Sequence, residues 1–180
     1  MRKILLLLLF LVLIKYSGAQ SPDIKFEHIG IKEGLPEDQV KSIMQDVQGY
    51  IWIGTQNGLV RYDGYNYKLY NLGSDQVNSL TNTDVSSIFE DRQKNLWVSA
   101  IGNGLFMYDR NTDTFKEYKF PGSYSFSIVD INLEDNDNNL WCRYQTANHS
   151  SVVKFNKALG TFEFFGPLVK GVDRINSKVL

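Results

Sequence analysis

Residues 40–70 read VKSIMQDVQGYIWIGTQNGLVRYDGYNYKLY, residues 85–118 read VSSIFEDRQKNLWVSAIGNGLFMYDRNTDTFKEY, and residues 127–165 read SIVDINLEDNDNNLWCRYQTANHSSVVKFNKALGTFEFF. These are three writings of one unit, because Trp52, Trp97 and Trp141 stand 45 and 44 residues apart. Each tryptophan follows an acidic turn and leads an apolar run. In the first copy, strands are expected over Val40–Gln45, Tyr50–Thr55, Leu59–Tyr62 and Tyr67–Tyr70. Asn57-Gly58 and Asp63-Gly64 are hairpin signals, with type I′ turns expected because their central residues need positive φ. Each unit is therefore a four-stranded antiparallel meander. A repeat of about this length built from short strands is a β-propeller blade.

One such sheet cannot hide its apolar faces from water, so blades stack side by side and close rings of 4–8. This chain has about three, and the expected fold is all-β, an incomplete ring. The recurring apolar positions Trp52, Trp97, Trp141 and Tyr62, Tyr108, Phe155 are expected blade-core residues. Tryptophans can also be sugar-stacking platforms, but a ligand site has no reason to recur in every blade.

Residues 1–19 are of a different kind. Arg2 and Lys3 precede an unbroken apolar stretch from Ile4 to Ile14, and Ser17-Gly18-Ala19 supplies the small residues of a cleavage site. The reading is a secretory signal peptide cut after Ala19, since such a stretch rises only ~16 Å as a helix, too short to span a bilayer. Its removal takes three of the 19 basic residues and none of the 20 acidic ones, leaving a formal charge of −4. An acidic exported domain is a poor partner for nucleic acid. The expected organisation is a lead-in over 20–39, blades over 40–71, 85–120 and 127–166, and the opening of a truncated fourth repeat over 172–180. Within the lead-in, Phe26-Glu27-His28-Ile29 matches the outer strands of the blades and reads as an orphan latch strand.

The string Gly34-Leu35-Pro36, then VKSIMQD from Val40, GYIWIGT from Gly49 and NGLVRYDGYNYKLY from Asn57, resembles the two-component regulator propeller repeat. A second IFED…LWV…GNGLFMYD follows, and the resemblance covers residues 24 to 180 with looser motifs after the first repeat. The second copy has Trp97-Val98-Ser99-Ala100 where the first has Trp52-Ile53-Gly54-Thr55, and the third loses the glycine-leucine step before Phe155. The resemblance implies the periplasmic sensor region of a hybrid two-component histidine kinase, of the kind that recognises oligosaccharides. It implies further blades of the same parent chain and a receptor that forms homodimers. No histidine phosphoacceptor, nucleotide-binding or receiver motif appears, so the chain itself is expected to be no enzyme, to use no cofactor and to hold no metal. Ligand-binding residues are not transferred, because the repeat marks blade cores and not the loops that differ between sensors.

The remaining polar constellations read as structural. Asp135-Asn136-Asp137-Asn138-Asn139 opens like a calcium loop, but Leu140 stands where glycine is needed and Thr146 where a bidentate glutamate is needed, so it is expected to be a turn. Glu90-Asp91 and Glu134-Asp135 recur at one repeat position, and adjacent strand residues face opposite ways, so they do not converge as catalytic carboxylates must. His28 and His149 are the only histidines. Cys142, the lone cysteine, is read as a small buried hydrophobe. The alternatives to a sensor are an exported propeller enzyme acting on glycans, lyase or glycosidase, and a propeller that completes its ring by self-association, two chains giving six blades.

Overall fold

Alternating apolar residues put the chain into three sheets in the computed structural model, which describes residues 25–70, 83–120, 128–146 and 150–165. The first sheet holds β1 (Val40–Gln45), β2 (Ile51–Thr55), β3 (Gly58–Tyr62) and β4 (Tyr67–Tyr70). The second holds β5 (Val85–Glu90), β6 (Leu96–Ala100), β7 (Gly104–Asp109) and β8 (Thr114–Lys119), and the third β9 (Ile128–Glu134), β10 (Leu140–Gln145), β11 (Ser150–Asn156) and β12 (Thr161–Phe165). In each sheet the strands neighbour one another in chain order, and every pair is antiparallel. The all-β expectation of four-stranded meanders agrees with this, and the ring they begin is not closed. β1 lies against β5 and β5 against β9, so the first strands gather at the axis while the fourth strands fan outward.

The tryptophans show how the sheets stack. Trp52 is fully buried, with its ring centroid 4.9 Å from that of Tyr108 in the next blade and 5.5 Å from that of Tyr70 in its own. Trp97 repeats this one blade on, 5.5 Å from Phe155 and 5.6 Å from Tyr118. The tryptophan of one blade therefore inserts against the third-strand aromatic of its successor, and Leu59 and Leu105 beside them are also fully buried. Truncating either buried indole to alanine would cost roughly 3–5 kcal/mol.

Two of the six expected core positions differ. Trp141 and Tyr62 are only half-buried. Trp141 faces away from the second blade, where no successor covers it among the described residues. Tyr62 sits on the outward face of the first blade, stacked on Tyr67 at 4.5 Å. The same positional logic that buries Trp52, Trp97, Tyr108 and Phe155 leaves these two at the ends of the row.

The expected latch strand has no neighbour in the described part of the chain. An outer strand exists only beside a neighbour, and Phe26–Ile29 pairs with no strand among the described residues, with Phe26 91% exposed. What the lead-in does instead is cover the first blade. Leu35, 4% exposed, packs on Ile53 and Val60, with Ile51 and Tyr67 beside them. Asn57 donates to Glu37 at 3.1 Å and ties this cover to the β2–β3 turn. The expected signal peptide and the expected start of a fourth repeat over 172–180 lie outside the described residues.

The β2–β3 hairpin is not the expected type I′ turn. Its central residues are Gln56 and Asn57, neither at positive φ, and the glycine comes one step later, with Gly58 at φ 128° opposite Thr55. Gly104 in the second blade has φ 138°, and a Cβ there would meet the Tyr118 carbonyl at 2.5 Å. A second close approach occurs near the axis. A Cβ on Gly54 would lie 2.7 Å from Val85 Cγ1, because the next blade's first strand rests directly on this residue. Gly54→Ala is therefore expected to lower stability by about 1–3 kcal/mol. Adding Val85→Ala should recover part of the loss relative to the sum of the single changes, as read by a double-mutant cycle of urea unfolding.

Candidate functional site

The chemistry of the described residues is concentrated in the seams between blades. In each unit the aspartate that opens the β-turn before the second strand accepts the indole N–H six residues later. Trp52, Trp97 and Trp141 donate to Asp46, Asp91 and Asp135 at 3.0, 2.9 and 2.7 Å. The other carboxylate oxygen accepts backbone N–H groups of the same turn, such as Gln48 and Tyr50 for Asp46. A buried indole is satisfied in this way, and the negative charge left over is answered by the next blade.

That answer is a cation two residues after the third-strand aromatic. Arg110, after Tyr108, reaches Asp46 at 2.8 Å and Gln48 at 2.8 Å in the first blade, and Glu90 in its own at 3.1 Å. Lys157, after Phe155, reaches Asp91 at 2.8 Å, Gln93 at 2.8 Å and its own Glu134 at 2.6 Å. The glutamate in turn accepts a backbone N–H of the preceding blade's turn, Val47 on Glu90 at 3.1 Å and Arg92 on Glu134 at 2.9 Å. The Glu90-Asp91 pair thus points toward two different neighbours, Glu90 to the first blade and Asp91 to the third. Both Asp46 and Asp91 have fully buried carboxylates. Burial pushes their carboxyls up, but the cation and the indole outweigh it and hold both below the ordinary value of 3.8. This four-part clamp was not read from the sequence. Its signal was present in the Glu-Asp pair of the second and third units and in the basic residue two positions after Tyr108 and Phe155.

The two seams differ outside the clamp. Between the first and second blades, Asp113 accepts from Tyr70 at 2.6 Å and Tyr108 at 2.5 Å, and also pairs with Lys68 and Arg61. Burial raises the Asp113 carboxyl, yet these donors hold it far below the usual carboxylate range. Burial and the Asp113 bond push the Tyr70 phenol up. Between the second and third blades, Met107 stands at the place of Arg61, Phe155 at that of Tyr108 and Gly160 at that of Asp113, against the ring of Tyr118. Nearer the axis Ser86 and Ser99 both donate to the Val129 carbonyl, at 2.7 and 2.6 Å.

The other candidates fall into structural roles. Asp135 Oδ1 accepts from the backbone of Asp137 and Asn139, which makes the calcium-like string a turn. The bonds from Asn139 and Trp141 bring its carboxyl down to about 2. Among the described residues no group of three or more His, Cys, Asp or Glu could hold a metal. Cys142 is 1% exposed, and burial pushes its thiol up to about 12, away from a reactive thiolate. His28 is exposed, and His149 lies outside the described residues.

Asp91→Ala removes the partner of Trp97 and one of the two carboxylates that hold the nearly buried Lys157 ammonium, leaving it Glu134. It is expected to cost about 3 kcal/mol in chemical unfolding, most of it recovered by neither Asn nor Ser, which carry no charge. The acid response follows from the same groups. Carboxylates lowered in the folded state contribute stability that is present above their unfolded value and lost as pH falls through the folded one. The thermal midpoint is therefore expected to stay level from neutrality to about pH 5 and to fall below about pH 4. Asp46→Asn should flatten that fall, as followed by circular dichroism melts across pH.

Comparisons with known proteins agree with this geometry. The two component regulator propeller model matches residues 34–57 and 79–102, segments that include β1–β2 and β5–β6 with the acidic turn and the tryptophan of each blade. Histidine kinase P4 of Formosa agariphila is 36% identical over 90 residues, which are 46% of this chain and 6% of that protein. Among solved structures, the extracellular domain of a hybrid two component system from B. thetaiotaomicron superposes with a TM-score of 0.61 at 21% identity, over 77% of this chain and 20% of that one. Virginiamycin B lyase of Staphylococcus aureus gives 0.57 at 18% identity, over 76% of this chain and 44% of that one. At these identities the structural likenesses establish the propeller fold, and the chain spans a small part of the kinase and of the extracellular domain it matches. The first two units of this chain thus match the two-component regulator propeller repeat, over residues 34–57 and 79–102.

Proposed function

We propose that this chain forms part of a periplasmic, ligand-sensing propeller of a hybrid two-component regulator, passing its signal to a histidine kinase encoded beyond these residues. The match of the regulator-propeller model to two successive blades carries this reading. The 36% identity to a histidine kinase supports it, as does the likeness to an extracellular domain of a hybrid two component system. Oligosaccharides are the proposed ligands, and the apolar stretch at residues 4–14 is the proposed export signal. The seams described above hold neighbouring blades in one register, so a ligand would act on loops or on the arrangement of whole propellers in a homodimer. It would favour one of two receptor states by its differential affinity for them.

A propeller enzyme is the weaker reading. The recurring carboxylates of the described blades are committed to indoles, backbone N–H groups and cations, each facing a different neighbour, and none is left paired across a cleft.

Following the reading frame past the codon for Leu180 tests the proposal. Further repeats leading to a membrane span and a kinase are the expected outcome, and the full ectodomain should then gain thermal stability with an oligosaccharide from a defined panel. A frame that closes after ring completion without a membrane span would overturn the sensor reading.

A further inference from the structure

The outward face of the third blade repeats, position by position, the faces that the first two blades bury. Register places Leu133 across from Trp141 as Met44 is across from Trp52 and Phe89 from Trp97. Val152 and Phe165 pair across the outer strands as Leu59 and Tyr70 do, and as Leu105 and Tyr118 do. On the first face Leu59 is 0% and Tyr70 8% exposed, whereas Val152 is 46%, Phe165 40% and Leu133 51%. These residues and Trp141 line an open groove of about 710 Å³.

The rim of this face carries the half of a clamp that looks for a partner. Asp135 stands where Asp46 and Asp91 bind Arg110 and Lys157. Asp137 takes the place of Gln48 and Gln93, which also touch those cations, and so adds a negative charge. Asn136 stands where Val47 and Arg92 give their backbone N–H to the next blade's glutamate. Near the axis Arg143 takes the place of Ser99, whose hydroxyl donates to a first-strand carbonyl of the following blade, so a donor is kept there.

We infer that this face docks a further four-stranded blade that carries a glutamate at the end of its first strand and a lysine or arginine two residues after its third-strand aromatic. A second copy of this chain does not supply that partner. Its exposed first blade has Gln45 in the place of Glu90 and Glu134, and Gly64 in the place of Arg110 and Lys157, in a β3–β4 hairpin two residues shorter than its counterparts. Leu35 and Tyr67 also cover that blade's outward side. The inference does not depend on whether the propeller senses a ligand, and rests only on the chain having further repeats.

Trp141 gives the test, because Trp52 and Trp97 are buried and it alone of the three is half-buried. In the 180-residue chain, acrylamide should quench its emission, with no protection as protein concentration rises. Each extension carries phenylalanine in place of its copied tryptophan, so that Trp141 of the host blade stays the reporting indole. A chain extended after Leu180 by such a copy of residues 120–165 brings in counterparts of Glu134 and Lys157, and the quenchable emission should be lost. The intervening residues add little closure entropy. Changing the copied Lys157→Met, or Asp135→Asn in the host blade, should restore quenching, while extension by a copy of residues 34–70 should leave it intact. Loss of quenching in the unextended chain together with dimers in sedimentation would make a second copy the occupant and overturn the inference. So would equal protection by both extensions, or protection by neither.

Discussion

The structure depends on the bond between an indole N–H and a carboxylate six residues before it. A tryptophan can be buried only if its N–H finds an acceptor, and a carboxylate can be buried only if donors surround it. Asp46 with Trp52 and Asp91 with Trp97 meet both requirements within one hairpin. The charge that remains draws Arg110 or Lys157 across from the next blade, which in turn positions Glu90 or Glu134 to hold the preceding turn. A local bond thereby becomes the device that sets the spacing and register of successive sheets. The aromatic stacking of Trp52 on Tyr108 and Trp97 on Phe155 then fills the space that this spacing leaves.

Much of the fold was legible because the repeat states it three times. The period, the Trp positions and the acidic turns specify four-stranded blades. Burial at Trp52, Trp97, Tyr108 and Phe155 follows from each having a neighbouring blade against the face it presents. Trp141 and Tyr62 occupy the same repeat positions, and repetition alone does not say which blade lacks a successor or predecessor. Phe26–Ile29 has the composition of an outer strand, but composition does not provide the strand it would pair with. The clamp escaped notice for a different reason. Its members come from two blades 20 to 66 residues apart, and each looks ordinary in its own hairpin.

Function is less legible than fold for a related physical reason. The segments that match the regulator-propeller repeat are the ones with the strongest packing constraints, the first two strands, the acidic turn and the tryptophan. They identify how blades are held together. A binding surface is built from positions that packing leaves free, and such positions carry no repeated signature. The outward face of the third blade is an exception, because its partner must satisfy the same packing and charge rules as the blades already seen.

The contrast between the two seams has a mechanical meaning. Asp113 grips Tyr70, Tyr108, Arg61 and Lys68 through directional bonds, so a small sliding of the second blade on the first breaks several of them together. At the next seam Met107, Tyr118 and Phe155 meet through dispersion contacts that change little with small lateral shifts, and Gly160 leaves the ring of Tyr118 unobstructed. Under a twisting load the clamps at Asp46 and Asp91 act as matched pivots, while the resistance to shear beside them sits at different radii. Beside the clamps, then, the first seam carries its directional bonds on the outer strands, and the second carries them nearer the axis, where Ser86 and Ser99 hold the Val129 carbonyl.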